Sequence, residues 1–217
     1  MSSYWQSLGA TSSGQSPSQM DAWWARLHDL YSEAGRHYHT MGHIDRMLSL
    51  KEMYRDRLSE PLTVEWAIFF HDAIYNPKAS DNEEQSAGLF QMFARDCLPE
   101  GSAAMVDRVT ELILLTKSHM TDVHLTEGMY GDGDAHYFLD FDMQVLGWAE
   151  ADYDMYAQQI RQEYIHVPEQ QYRAARSHIL KEFLKTPNIF ATKEFRDLYE
   201  AQARANIQRE IQYLQDG

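Results

Sequence analysis

The chain of 217 residues predicts an all-α fold: a compact bundle of about nine helices. Three observations carry that expectation. Ala (21) and Leu (19) dominate while Val is scarce (6), a usage that favours helix over strand. Apolar residues recur at helical spacing, as in Ile44, Met47, Leu48, Tyr54 and Leu58, and again in Phe195, Leu198, Tyr199, Ile207, Ile211 and Leu214. No glycine falls between Gly147 and Gly217, and no alternating run of convincing strand length is present.

The elements follow in order. Residues 1–16 are rich in Ser, Gly and Gln, lack periodicity, and read as a flexible leader; residues 17–217 read as a single helical domain. Helices are expected near 18–34, 40–58, 62–75, 81–97, 102–117, 136–146, 149–166, 168–185 and 193–214. Pro61, Pro99, Pro168 and Pro187 sit at or near the breaks, since proline cannot donate inside a helix. Thr121 to Ala135, with three glycines and three aspartates, is the one substantial internal loop.

Composition narrows the function. Apolar residues make up 44% and charged residues 24%, which excludes wholesale disorder. No apolar run is long enough for a transmembrane span, and the N-terminus has no signal-peptide pattern. The lone Cys97 excludes an internal disulfide framework, so a cytoplasmic location is expected. With 33 acidic against 19 basic residues, the net charge of −14 disfavours binding to nucleic-acid polymers. A small anionic substrate would need a local cation, from a metal ion or an Arg cluster, to offset that field. Trp5, Trp23 and Trp24 could anchor a homo-oligomer contact or pack inward.

Three clusters carry possible chemistry. The first runs from Arg36 to His43, where His39 and His43 stand i, i+4 and share a face if both are helical. Thr40 stands where a zinc protease would have its Glu, so that mechanism is disfavoured. In the second, His71-Asp72 follows the apolar run Ala67 to Phe70, which places a carboxylate where burial demands a partner or a metal. A structural His–Asp hydrogen bond at a helix end is the competing reading. In the third, Asp140 and Asp142 are interleaved with large apolar residues; two apart, they lie on different faces, so one of them points into any given site.

The order His43, His71-Asp72, Asp142 resembles the HD superfamily of metal-dependent phosphohydrolases. The strings RHYHTMGHI, FFHDAIYNPKASDNEEQSA, LLTKSH, FLDFDMQVLG and IRQEY are similar, more narrowly, to a bacterial subgroup described as predicted HD phosphohydrolases. The resemblance covers about Arg36 to Arg204 and implies an all-helical fold. It implies that His43, His71, Asp72 and Asp142 ligate one divalent ion (Mn, Fe, Co, Ni, Zn or Mg), with Asp140 supporting the ligand from behind. The implied activity is hydrolysis of a small phosphorylated metabolite, a nucleotide foremost, by a metal-activated water. The alternative is a regulatory module that binds metal and nucleotide without turnover.

Auxiliary residues have two readings each. Glu83 is either a catalytic base or the last member of a Ser80-x-x-Glu83 capping box. His119 is read as a substrate contact or proton donor, and Lys117 and Arg161 as phosphate binders. His39 and Tyr75 are read as substrate-binding neighbours of the metal. His119, His124 and His136 lie in the interval where two-metal relatives carry further histidines, but the paired histidines of such sites are absent.

Overall fold

The computed structural model describes Tyr4, Trp5 and residues 17–216, and over them the chain is all-α. Helices α1 to α9 span Pro17–Leu30, Met41–Met53, Pro61–Phe70, Asn82–Cys97, Ala103–Leu115, Asp134–Met143, Glu150–Glu163, Glu169–Lys185 and Ala201–Asp216. The only β feature among the described residues is an isolated bridge between Gly131 and Thr192. No helix among them is long and apolar enough to cross a membrane.

The chain forms two compact units. One takes in the chain up to Arg55 and Glu60–Ser118; the other holds Asp56–Ser59 and the chain from His119 onward. In the first unit α3 is the central element. Pro61 opens it at a position where a missing N–H costs nothing. Every residue from Thr63 to Phe70 is buried, as expected of a helix with no polar face. Trp66 packs on Phe93 with ring centroids 4.8 Å apart, and Phe70 on Phe90 at 5.2 Å. Trp5 is buried in the same cluster, 5.1 Å from Phe69, and its Nε1 donates to the Met20 carbonyl at 3.0 Å. The expected leader therefore contains a packed residue, held by the burial of a large aromatic surface; apart from Tyr4 and Trp5, the leader lies outside the described residues. Trp23 is buried too, so these two tryptophans pack inward.

Buried charge accompanies this core. Lys51, 1% exposed, donates to Glu65 Oε2 at 2.6 Å and to Tyr4 Oη at 3.0 Å. Burial pushes the Glu65 carboxyl above the usual carboxylate range, with Lys51 acting in the opposite direction.

In the second unit, α6 runs into a single 3₁₀ turn at Gln144–Gly147. A Cβ at Gly147 would lie 2.5 Å from the Tyr199 Cβ and 3.0 Å from its carbonyl oxygen, so only glycine allows this approach. Buried Asn206 ties the same turn to α9, donating to the carbonyls of Leu146 and Trp148 at 2.9 and 2.8 Å. Ahead of α9, Arg196–Glu200 is a π segment, and both oxygens of Glu200 accept from the Ile189 N–H at 3.0 Å.

Several expected boundaries shift. The helix expected to reach residue 75 stops at Phe70, and the one expected to reach 58 stops at Met53, followed by a 3₁₀ turn at Arg55–Arg57. The loop between 121 and 135 carries a short helix of its own, Asp122–Leu125. Its start is held by the Thr121 N–H donating to His124 Nδ1 at 3.0 Å, and the Gly133 N–H likewise donates to His136 Nδ1 at 3.1 Å. Both histidines thus work as helix caps through Nδ1, a use of histidine that spacing alone does not reveal.

Two predictions follow from these buried groups. Lys51→Met leaves Glu65 uncompensated and should cost about 3–5 kcal/mol in urea unfolding, most of it recovered in Lys51→Met/Glu65→Leu. Burial lowers the His124 pKa to about 4, with the nearby His136 and Arg196 adding to the effect. The unfolded chain therefore takes up this proton first, and the contribution of neutral His124 is complete above about pH 6.5 and lost as pH falls toward 4. His124→Gln keeps an N3 side chain able to cap but does not titrate. The stability difference between wild type and His124→Gln should shift by about 2 kcal/mol between pH 7 and pH 4.5; a difference constant with pH would refute it.

Candidate metal centre

In the first unit, three donor groups converge at the ends of α2 and α3. Thr40 starts α2, its side-chain oxygen accepting from the Gly42 N–H at 3.2 Å, and this places buried His43 in the first turn. His71 is the C-cap of α3, its N–H donating to the Ala67 carbonyl at 2.9 Å, and Asp72 lies in the turn beyond. Because Asp72 has left the helix, the roughly 100° separation of adjacent helical residues no longer keeps it from the side occupied by His71.

The donor atoms are close-set. His43 Nε2 and His71 Nε2 are 3.2 Å apart, Asp72 Oδ2 is 3.1 Å from His71 Nε2, and it is 3.8 Å from His43 Nε2. His71 Nδ1 faces the Ile68 carbonyl at 3.0 Å. A carbonyl only accepts, so Nδ1 carries the proton and Nε2 presents its lone pair toward His43 and Asp72. Metal-binding histidines are commonly fixed in this way by a backbone acceptor. Neighbouring ligands at bond lengths of about 2.1 Å stand roughly 3 Å apart in octahedral geometry, close to the two shorter separations. Two imidazoles and a carboxylate suit a first-row divalent ion.

Arg36, which spacing left without a role, organises the surroundings. Its buried guanidinium donates to the carbonyls of Asp72 at 2.6 Å, Ala73 at 2.8 Å and His39 at 3.2 Å. It also stacks against Tyr31 and Tyr75, with its central carbon 4.9 and 5.5 Å from the ring centroids. One side chain thus fixes the turn bearing Asp72 and the segment leading to His43. The available sequence signal was an arginine at the head of a short, histidine-rich connection.

His39 precedes the Thr40 cap and is not helical, so the shared helical face expected of His39 and His43 does not form. It stacks on Tyr75 instead, centroids 4.3 Å apart, with its ring 6.1 Å from that of His43. Glu83 is half-buried at the second position of α4. The capping box expected from Ser80 is not formed, because α4 starts one residue later and its N-cap, Asp81, makes no side-chain cap. Asn82 closes this turn, accepting from the Asn76 N–H at 2.9 Å and donating to its carbonyl at 3.0 Å. Lys117 is ion-paired with Glu84 at the exposed surface.

In the second unit, His119 Nε2 lies 2.9 Å from Asp142 Oδ2. His119 has φ 53°, in the left-handed region that a non-glycine residue occupies at a cost. Its ring nitrogen thus faces the Asp142 carboxylate. Asp140 points elsewhere: it accepts from the N–H groups of Ala191 and Thr192 at 2.7 and 2.8 Å and from Thr192 Oγ1 at 2.6 Å. Burial raises its carboxyl to about 7 despite these donors. It therefore anchors the 191–192 backbone, and the expectation that it backs Asp142 is corrected. Arg161 is engaged within the chain. Its three nitrogens donate to Glu169 at 2.9 Å and to the carbonyls of Tyr164 and Val167 at 2.7 and 3.2 Å, closing the α7–α8 connection. A guanidinium so engaged acts as a structural clamp on this connection.

No family model, curated protein or solved structure matches the chain.

The role of Arg36 is open to a direct check. Arg36→Met leaves the carbonyls of Asp72, Ala73 and His39 without their donor and should cost about 2–4 kcal/mol in chemical unfolding. Exposed Arg55→Met serves as the control and should change stability by less than about 0.5 kcal/mol.

Proposed function

We propose that the protein is a metal-dependent phosphohydrolase acting on a small phosphorylated metabolite, with a nucleotide as the foremost class. The observation that carries this reading is the convergence of His43, His71 and Asp72, with the lone pair of His71 Nε2 fixed by the Ile68 carbonyl. In the proposal these three groups hold one divalent ion, with Asp142 as the fourth donor that the sequence resemblance implies. The sequence resemblance to HD phosphohydrolases supports the same four residues. When bound, the ion supplies Lewis acidity toward a water molecule and a phosphoryl oxygen.

The chain's own residues do the rest. His119 orients the Asp142 carboxylate, and Arg36 holds Asp72 through its backbone. His39 and Tyr75 form a stacked pair beside His43, a surface able to receive a planar base. Glu83 takes the proton of the attacking water, a role left open by the absence of a cap at Ser80. The net charge of −14 makes a local cation a condition for binding any phosphate.

The test is an assay of metal-replete protein against mono-, di- and triphosphates, with His71→Ala and Asp72→Ala beside it. Wild type should release phosphate and bind about one ion per chain by elemental analysis. Chelation or either substitution should lower the rate by about a hundredfold or more. Equal rates in wild type and both variants, or no divalent-dependent release at all, would sink the proposal.

A further inference from the structure

The second unit contains a cavity of about 430 Å³ among α7, α8 and α9, within the size range of small-molecule sites. Its wall is formed by Tyr153, Ala157, Tyr172, Tyr213 and Leu214. Tyr172 is 6% exposed, and among the described residues its hydroxyl has no hydrogen-bond partner. A hydroxyl on a cavity-lining side chain that has no partner within the chain is open to a hydrogen bond with a guest.

The charges around the cavity are already matched. Arg161 pairs with Glu169 at 2.9 Å, Arg209 with Asp154 at 2.7 Å, and Glu210 accepts from Arg176 at 2.8 Å and also from the Tyr153 hydroxyl. Arg161 and Arg209 also lie over the rings of Tyr172 and Tyr153, their guanidinium carbons 4.6 and 5.9 Å from the centroids. A net-charged guest would have to break one of these pairs or remain uncompensated in a partly desolvated space. The flat aromatic walls favour a planar guest.

We propose that this cavity binds a neutral, planar heterocycle of nucleobase to nucleoside size, whose hydrogen-bonding edge meets the Tyr172 hydroxyl. The site is separate from the residues assigned to metal binding, and the proposal does not rest on the phosphohydrolase reading.

Calorimetric titration of the full chain with adenine, adenosine, uridine and adenosine monophosphate tests it. At least one of the neutral compounds should bind with a dissociation constant below about 1 mM, and adenosine monophosphate at least about tenfold more weakly. Tyr172→Phe should weaken binding by about three- to tenfold. Ala157→Leu, which fills the cavity from α7, should abolish it, with circular dichroism and the melting temperature showing that the variant is folded. His71→Ala should bind as wild type does. The proposal is overturned if no neutral compound binds, if adenosine monophosphate binds as tightly as adenosine, if folded Ala157→Leu or Tyr172→Phe retains full affinity, or if His71→Ala loses binding.

Discussion

Taking a guanidinium out of water is costly unless its donors are met, and Arg36 meets the condition by turning three backbone carbonyls toward itself. Those carbonyls belong to His39, Asp72 and Ala73, so the cost of burying one cation is offset by fixing two separate stretches of backbone. The stretch after Tyr31 leads into α2 and delivers His43; the stretch after α3 carries Asp72. Remove the cation and both lose their common tether. The close spacing of the imidazole and carboxylate atoms is therefore a property of the backbone, held from beneath, and not of side chains that happen to meet.

The same economy recurs in both units. Lys51 with Glu65, Arg176 with Glu210, and Asp140 with the 191–192 backbone are buried polar sets in which each partner satisfies the other. Such sets add little net stability compared with apolar packing, but they penalise any arrangement that separates the partners. In an acidic chain this matters, because an excess of carboxylates must be kept solvated, paired or bound.

Much of the fold was legible in the sequence because helical periodicity and proline placement are local signals. The ends were less so. α3 was expected to run through His71-Asp72, since nothing in the residue types there forbids helix; in the structure the chain turns there, and Arg36, from a distant segment, takes the carbonyls of Asp72 and Ala73. The choice between Asp140 and Asp142 rested on the resemblance, and the structure separates them by what each carboxylate meets: backbone donors for one, an imidazole for the other. Ser80-x-x-Glu83 matched a cap by pattern, yet Asn82 closed that turn through Asn76. Arg161 looked like an anion binder because its nearest carbonyl acceptors, Tyr164 and Val167, are backbone atoms, which a pattern of residue types does not display. The cavity was not legible at all, being a product of how three helices pack.

The π segment at Arg196–Glu200 sets the rotational phase of everything after it. A π turn accommodates one residue more than an α turn, and one residue corresponds to about 100° around the helix axis. Shortening this segment by a residue would regularise the local backbone while swinging Asn206 and Ile207 off the interior and bringing solvent-facing neighbours in their place. The irregularity is thus the reference mark that aligns the terminal helix with the turn it clasps, and lineages that gain or lose a residue there would have to re-index the whole final helix to compensate.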